Sequence, residues 1–206
     1  RMFCLVRTSA EGKPQQGITF LLLEMDTPGI EVKPIITLAG EHEVNQVFFN
    51  EVRVPKANRI GEENQGWTVA KYLLEFERGG GSAPGLQVGL GRSQRIAEAA
   101  YGDDTAHRRR LAEAEIAITA IDMSERMVLA SLAGGKNPGP ASSMLKINGT
   151  EAMQRLDEIS IAALGAYAHV DQPEAREPGS NVDAVGPHEG LVAMPRYLNN
   201  RAASIY

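Results

Sequence analysis

The sequence predicts an α+β chain: an antiparallel β-sheet or barrel portion followed by an up-and-down four-helix bundle. Three observations carry that prediction. Roughly the first sixty residues hold short apolar runs separated by turns with Gly and Pro. From Trp67 onward Ala, Leu, Met, Glu and Arg become frequent and the apolar period turns helical. Gly- and Pro-rich breaks then cut the remainder into helix-length pieces. The expected division is residues 1–60 as the end of a β-domain and 61–206 as a helical bundle.

Each element follows in order. "RMFCLVRTS" and "GITFLLLEM" are β-rich apolar runs, joined by the polar turn "AEGKPQQG". "TPGI" marks a second turn, followed by "IEVKPIIT" and "EVNQVFFNEVRVP". Pro34 cannot donate to a ladder, so its strand belongs at an edge or carries a bulge. About four strands in a mostly antiparallel meander result. A helix, open to interruption, is predicted over 66–100. A second spans about 103–133, capped by Asp103 or Asp104 and stopped by "GGKNPGP". A third covers 140–164, with Gly165 as its stop. A shorter fourth covers 191–206. The Pro-, Gly- and acid-rich "DQPEAREPGSNVDAVGPHEG" between the last two reads as an exposed loop.

Composition narrows the function classes. The 206 residues are 43% hydrophobic, enough to bury a core. The net charge is −5 and the basic residues are scattered apart from Arg108–Arg110, which argues against nucleic acid. The single cysteine, Cys4, excludes an intrachain disulfide and fits a reducing, cytoplasmic setting. No apolar run reaches the ~18 to 20 residues of a membrane span. The chain opens with Arg1 inside an apolar run and closes at Tyr206 inside an apparent helix, so it reads as a piece of a longer polypeptide.

The chemistry concentrates in "YLLEFERGGGSAPGL", residues 72–86. Residues three or four apart share a helix face; adjacent ones do not. Glu75 is three before Arg78 and four after Lys71, so it has cations on both sides. Glu77 has Leu73, Leu74, Gly80 and Gly81 at those spacings, and no cation. A carboxylate on a glycine-smoothed apolar surface would be desolvated, and its raised pKa would suit a general base. The alternative from spacing alone is a helix that ends at Arg78 with Glu77 in solvent. Among other features, His42, His107, His169 and His188 lack metal-ligand spacing, so no metal is expected. "HRRR" at 107–110 reads as a salt-bridged helix face rather than a phosphate site. Trp67 is expected to pack its helix onto the β-part. Met123, Met127, Met144 and Met153 are expected in the core.

The segments "VRTS…GITFLLLEMDTPGIEVKPI", "EVNQVFFNEVRVPKANRIGEENQGWTVAKYLLEFERG" and "YLNNRAASIY" resemble the acyl-CoA dehydrogenase family. The resemblance implies FAD, an acyl-CoA substrate, and a glutamate that removes the α-proton while the β-hydrogen leaves as hydride to the flavin. It sets Glu77 in the place of that base, in a Glu-Arg pair on the first bundle helix. Arg78 falls where the family contacts the CoA portion, and Glu75 in the same substrate-contacting stretch. The resemblance also implies an electron-transfer flavoprotein or similar acceptor and a homodimer or homotetramer. Departures are visible. "YGDDTAHRRR" does not match the family's FAD-binding segment before the second helix. "AALGAYA" keeps only Gly165 of its Gln-x-x-Gly-Gly motif. "NN" at Asn199 and Asn200 replaces an Arg-Asp pair. The family's other base position would fall after Tyr206. An oxidase on the same scaffold, or a binding module that lost its flavin, are the alternative readings.

Overall fold

The computed structural model describes residues 1–77, 81–101, 104–136 and 139–205; of Glu75, Phe76 and Tyr101 only the backbone is described. The chain forms two compact units, residues 1–36 with 42–77, and residues 37–41 with 78–206.

In the first unit β1 (Met2–Arg7) pairs antiparallel with β2 (Ile18–Leu23). β3 (Ile30–Ile36) pairs only with β4 (His42–Phe49), as a separate hairpin. The expected single meander is thus two sheets. The cause is the two-residue β5 (Arg59–Ile60), which takes the free edge of β2 at Phe20 and Leu21. Pro34 sits on the hairpin, and the register slips beside it at Ile35 and Ile36. One partner strand is all a residue without an N–H can serve cheaply.

α1 (Gly66–Glu77) lies in this compact unit by its contacts. Its start is tied to β2 by polar contacts. Thr19 Oγ1 accepts from the Asn64 amide at 2.9 Å, and Thr8 Oγ1 donates to Asn64 Oδ1 at 2.7 Å. A Cβ on Gly66 would run into the backbone of Thr19 and Phe20, so only glycine permits this approach. Ala70 is the buried apolar residue of the helix start, whereas Trp67 is 42% exposed and does not pack α1 onto the strands as expected.

The second unit is helical. α2 (Ser82–Tyr101), α3 (Thr105–Ala133) and α4 (Pro140–Leu164) pack on one another. The four-residue α5 (Pro173–Arg176) lies in the long loop, and α6 (Ala193–Asn200) packs on α4. The predicted 66–100 helix is therefore two helices. Residues 78–80 between them lie outside the described residues. Asp104 is the residue that caps α3, its side chain accepting from the Ala106 amide. The fourth helix is shorter than predicted, ending at Asn200.

Leu111, Ala114, Ile118, Ile121 and Val128 form the buried stripe of α3. All but Val128 meet Leu86 and Leu90 of α2 and Leu156 and Ile159 of α4 in one core cluster. Burying each such Leu or Ile is worth about 1.5–3 kcal/mol. Of the four methionines expected in the core, Met153 packs against it, and Met123, Met127 and Met144 are exposed. Their spacing puts them off the buried stripe, and Ile116 and Leu129 are exposed with them. No helix among the described residues is long and apolar enough to cross a membrane.

Candidate functional site

Glu77 is the last residue of α1, and its side chain is exposed. Among the described residues of its own unit, nothing shields that side chain from solvent. The Glu75 side chain and Arg78 lie outside the described residues. Glu77 is thus placed at a helix end, and the calls on the Glu75 side chain and Arg78 fall outside the described residues.

Two buried carboxylates escaped the sequence reading, and both lie in the helical unit. Glu125 occupies a core position of the α3 stripe and is 5% exposed. Its two oxygens accept from the backbone amides of Ser82, at 2.8 Å, and Ala83, at 3.3 Å. Those amides are the first of α2, which have no partner inside their own helix. Glu125 is thus a cap supplied from another helix. An acid in register with Leu111, Ile118 and Ile121 was the signal that could have found it.

Asp157 on α4 is 6% exposed. Asn200 of α6 donates to it at 2.6 Å, and Arg196 lies 3.8 Å away. Burial pushes its carboxyl above the ordinary aspartate value, against the opposing pull of Asn200, Arg196, Arg201 and Arg92. Asn200 stands where the resemblance expects an acid, and here it donates to an acid on the neighbouring helix. Arg92 of α2 feels the same cluster. Burial lowers its pKa first, then Arg196 and Arg95, while Asp157 opposes. A cavity of about 540 Å³ opens beside these groups, between α2, α4 and α6. The helices approach closely at its edge, where Ser93 and Ser160 hydrogen bond at 2.9 Å.

The remaining candidates are quickly placed. Arg109 pairs with Glu113 at 3.0 Å and Arg155 reaches the same acid at 2.5 Å, so this part of "HRRR" is a salt-bridged helix face. Among the described residues no group of three potential metal ligands occurs.

The family described as acyl-CoA dehydrogenase, C-terminal domain, matches residues 64–178. The chain belongs to the acyl-CoA dehydrogenase family. Acyl-CoA dehydrogenase FadE34 of Mycobacterium tuberculosis is 33% identical over 158 residues, covering 75% of this chain and 22% of that protein. Cyclohexane-1-carbonyl-CoA dehydrogenase of Geobacter metallireducens is 29% identical over 192 residues, covering 84% and 48%. The chain thus spans between about a fifth and about half of these relatives. Among solved structures, an acyl-CoA dehydrogenase from Geobacillus kaustophilus superposes with a TM-score of 0.76 at 22% identity, over 98% of this chain and 52% of that one. That likeness shows the shared fold.

Acyl-CoA dehydrogenases are flavin-dependent oxidoreductases, which makes FAD the cofactor to test against these residues. Gly165 ends α4 with a φ of 54°, so its glycine is already required by the turn. Leu164 and Ala166 beside it offer only backbone polar groups. Gly165 and its two neighbours therefore do not by themselves form a flavin cradle.

Proposed function

We propose that this chain carries the catalytic base of a flavin-dependent acyl-CoA dehydrogenase, and that Glu77 is that base. In this reading Glu77 removes the α-proton of an acyl-CoA thioester. FAD, when bound, would supply the acceptor for the β-hydrogen as hydride, and Gly165 is the residue here that matches the family's flavin motif. Glu75 and Arg78 hold the substrate, Arg78 through the CoA portion. Electrons pass to an electron-transfer flavoprotein or similar acceptor. The protein works as a homodimer or homotetramer in the cytoplasm, with the exposed apolar residues Ile116, Met123 and Met127 as a face for self-association.

One observation carries the base assignment. Within the segment that matches the family, α1 ends on Glu77, immediately before Arg78 and the glycines. A carboxylate at the last helical residue has side-chain freedom and no cation three or four positions away on its helix. Shielding from water must come from groups other than those of its own unit. A base of this kind must be held close to the acidic carbon.

Glu77→Gln keeps shape and hydrogen-bonding reach but cannot accept the proton. In the full-length enzyme, flavin and acyl-CoA binding are expected to survive. Flavin bleaching in anaerobic stopped flow should slow by ~10² to 10⁴-fold. Bleaching at the wild-type rate would remove Glu77 as the base.

A further inference from the structure

Within its own unit α1 is gripped near its start. Gly66 and Ala70 are buried, whereas Tyr72, Leu73 and Glu77 are exposed. Glu77 stands ~16 Å along the axis from Gly66 at 1.5 Å per residue, so a tilt of ~4° at the grip carries it ~1 Å. A displacement of that size can cost ~10²-fold in rate. What holds the start of α1 therefore matters for what its end can do.

Three hydrogen bonds form the grip, and they close a ring. The Asn64 amide donates to Thr19 Oγ1 at 2.9 Å. The hydroxyls of Thr19 and Thr8 meet at 2.7 Å. Thr8 Oγ1 donates to Asn64 Oδ1 at 2.7 Å. A hydroxyl has one proton, so with Thr8 donating to Asn64 the donor between the two threonines is Thr19. Each member then donates once and accepts once, and hydrogen bonds joined in this way strengthen one another. The Gly17 carbonyl, 3.3 Å from Thr8 Oγ1, is a longer, competing acceptor.

The backbone is shaped to the ring. Asn64 has a φ of 66°, a left-handed conformation that asparagine tolerates better than most side chains. One residue can thus use both its amide and its side-chain oxygen. Thr19 is 2% exposed, so its hydroxyl is a buried polar group that this ring satisfies. Gln65 then bridges to Ile18 of β2, and a Cβ on Gly66 would lie 2.4 Å from the Phe20 nitrogen. The contacts from Asn64 to Gly66 all fall on β1, β2 or the residue after β1, and they precede the exposed part of the helix.

We propose that Asn64, held by Thr8 and Thr19, is a positioning residue for proton removal: the ring sets the direction of α1, and α1 carries Glu77. The proposal rests on Glu77 being the base and names what holds it in place. Asn64 acts through the helix, so its loss should lower the rate of the chemical step and leave substrate affinity nearly unchanged.

The test uses the full-length enzyme in anaerobic stopped flow at saturating acyl-CoA. Thr8→Val opens the ring with little change of shape. Asn64→Gly removes the side-chain acceptor and accepts the same φ. Each should slow flavin bleaching by about 10- to 100-fold while the acyl-CoA dissociation constant stays within about threefold. Thr8→Ser keeps the hydroxyl and should bleach at nearly the parent rate. In a Glu77→Gln background Thr8→Val should slow bleaching no further, because there is no base left to misplace. Amide exchange over residues 67–77 should quicken in both ring variants and not in Thr8→Ser. Either ring variant serves alone if the other fails to fold. Wild-type bleaching in the ring variants, with Glu77→Gln slow, would overturn this proposal and leave the base assignment standing. Equal slowing by Thr8→Ser and Thr8→Val, or losses that multiply with that of Glu77→Gln, would reduce the ring to a structural role. Wild-type bleaching in Glu77→Gln itself would remove the base assignment, and this proposal with it.

Discussion

Glu125 and Asp157 are two buried acids on neighbouring helices, and the helical unit satisfies them in different ways. Glu125 receives two backbone amides from the start of α2. A helix N-terminus carries about half a positive charge, so the carboxylate and the helix end complete each other. Nothing is left over, and the arrangement reads as architecture. Asp157 is met by side chains, Asn200 and a more distant Arg196, with Arg92 near and short of an acceptor. Here the accounting does not close, and the imbalance borders a cavity. Equal burial thus goes with two different sets of partners, backbone amides for one acid and side chains for the other.

The largest effect should come from breaking the closed arrangement. Glu125→Ala strands the Ser82 and Ala83 amides, the latter on a residue with no exposure. A loss of roughly 3 kcal/mol is expected in urea denaturation, since each bond to a charged group is worth about 1.5–3 kcal/mol. Glu125→Gln, with one acceptor retained, should lose less. Wild-type stability in the alanine variant would show that α2 needs no cap from α3.

The open arrangement predicts a pH effect instead. Burial raises the Asp157 carboxyl above 3.8, so the folded state holds its proton more tightly than the unfolded chain does. The contribution is full below the unfolded value and is lost as pH rises through the folded one. Asp157→Asn removes that decline. Denaturation midpoints measured from pH ~4 to ~7 should fall less steeply in the variant than in the parent. Parallel curves would mean that Asn200 and the arginines cancel the cost of burial.

The smallest effect sharpens the comparison from the cavity side. Gly85→Ala adds a methyl group into open space on a helix, and should stabilise the protein by at most about 1 kcal/mol. A thermal melt that moves downward would show that the space is not open.

The sequence by itself determined a good deal. Turn residues between apolar runs marked the strands, and the helical period marked α3 and α4 almost to the residue, because caps and stops such as Asp104 and Gly165 are local chemistry. The Glu-Arg pair before three glycines was legible for the same reason, together with a family resemblance that the match over 64–178 bears out. Tertiary structure decided the rest. β5, two residues long, splits the meander because an open strand edge accepts whichever segment reaches it. Trp67 and three of the four methionines are exposed since being apolar does not say which side of a helix meets its neighbour. Glu125, Asp157 and Arg92 acquire their meaning from partners about 35 to 65 positions away along the chain, and no local spacing rule reaches that far.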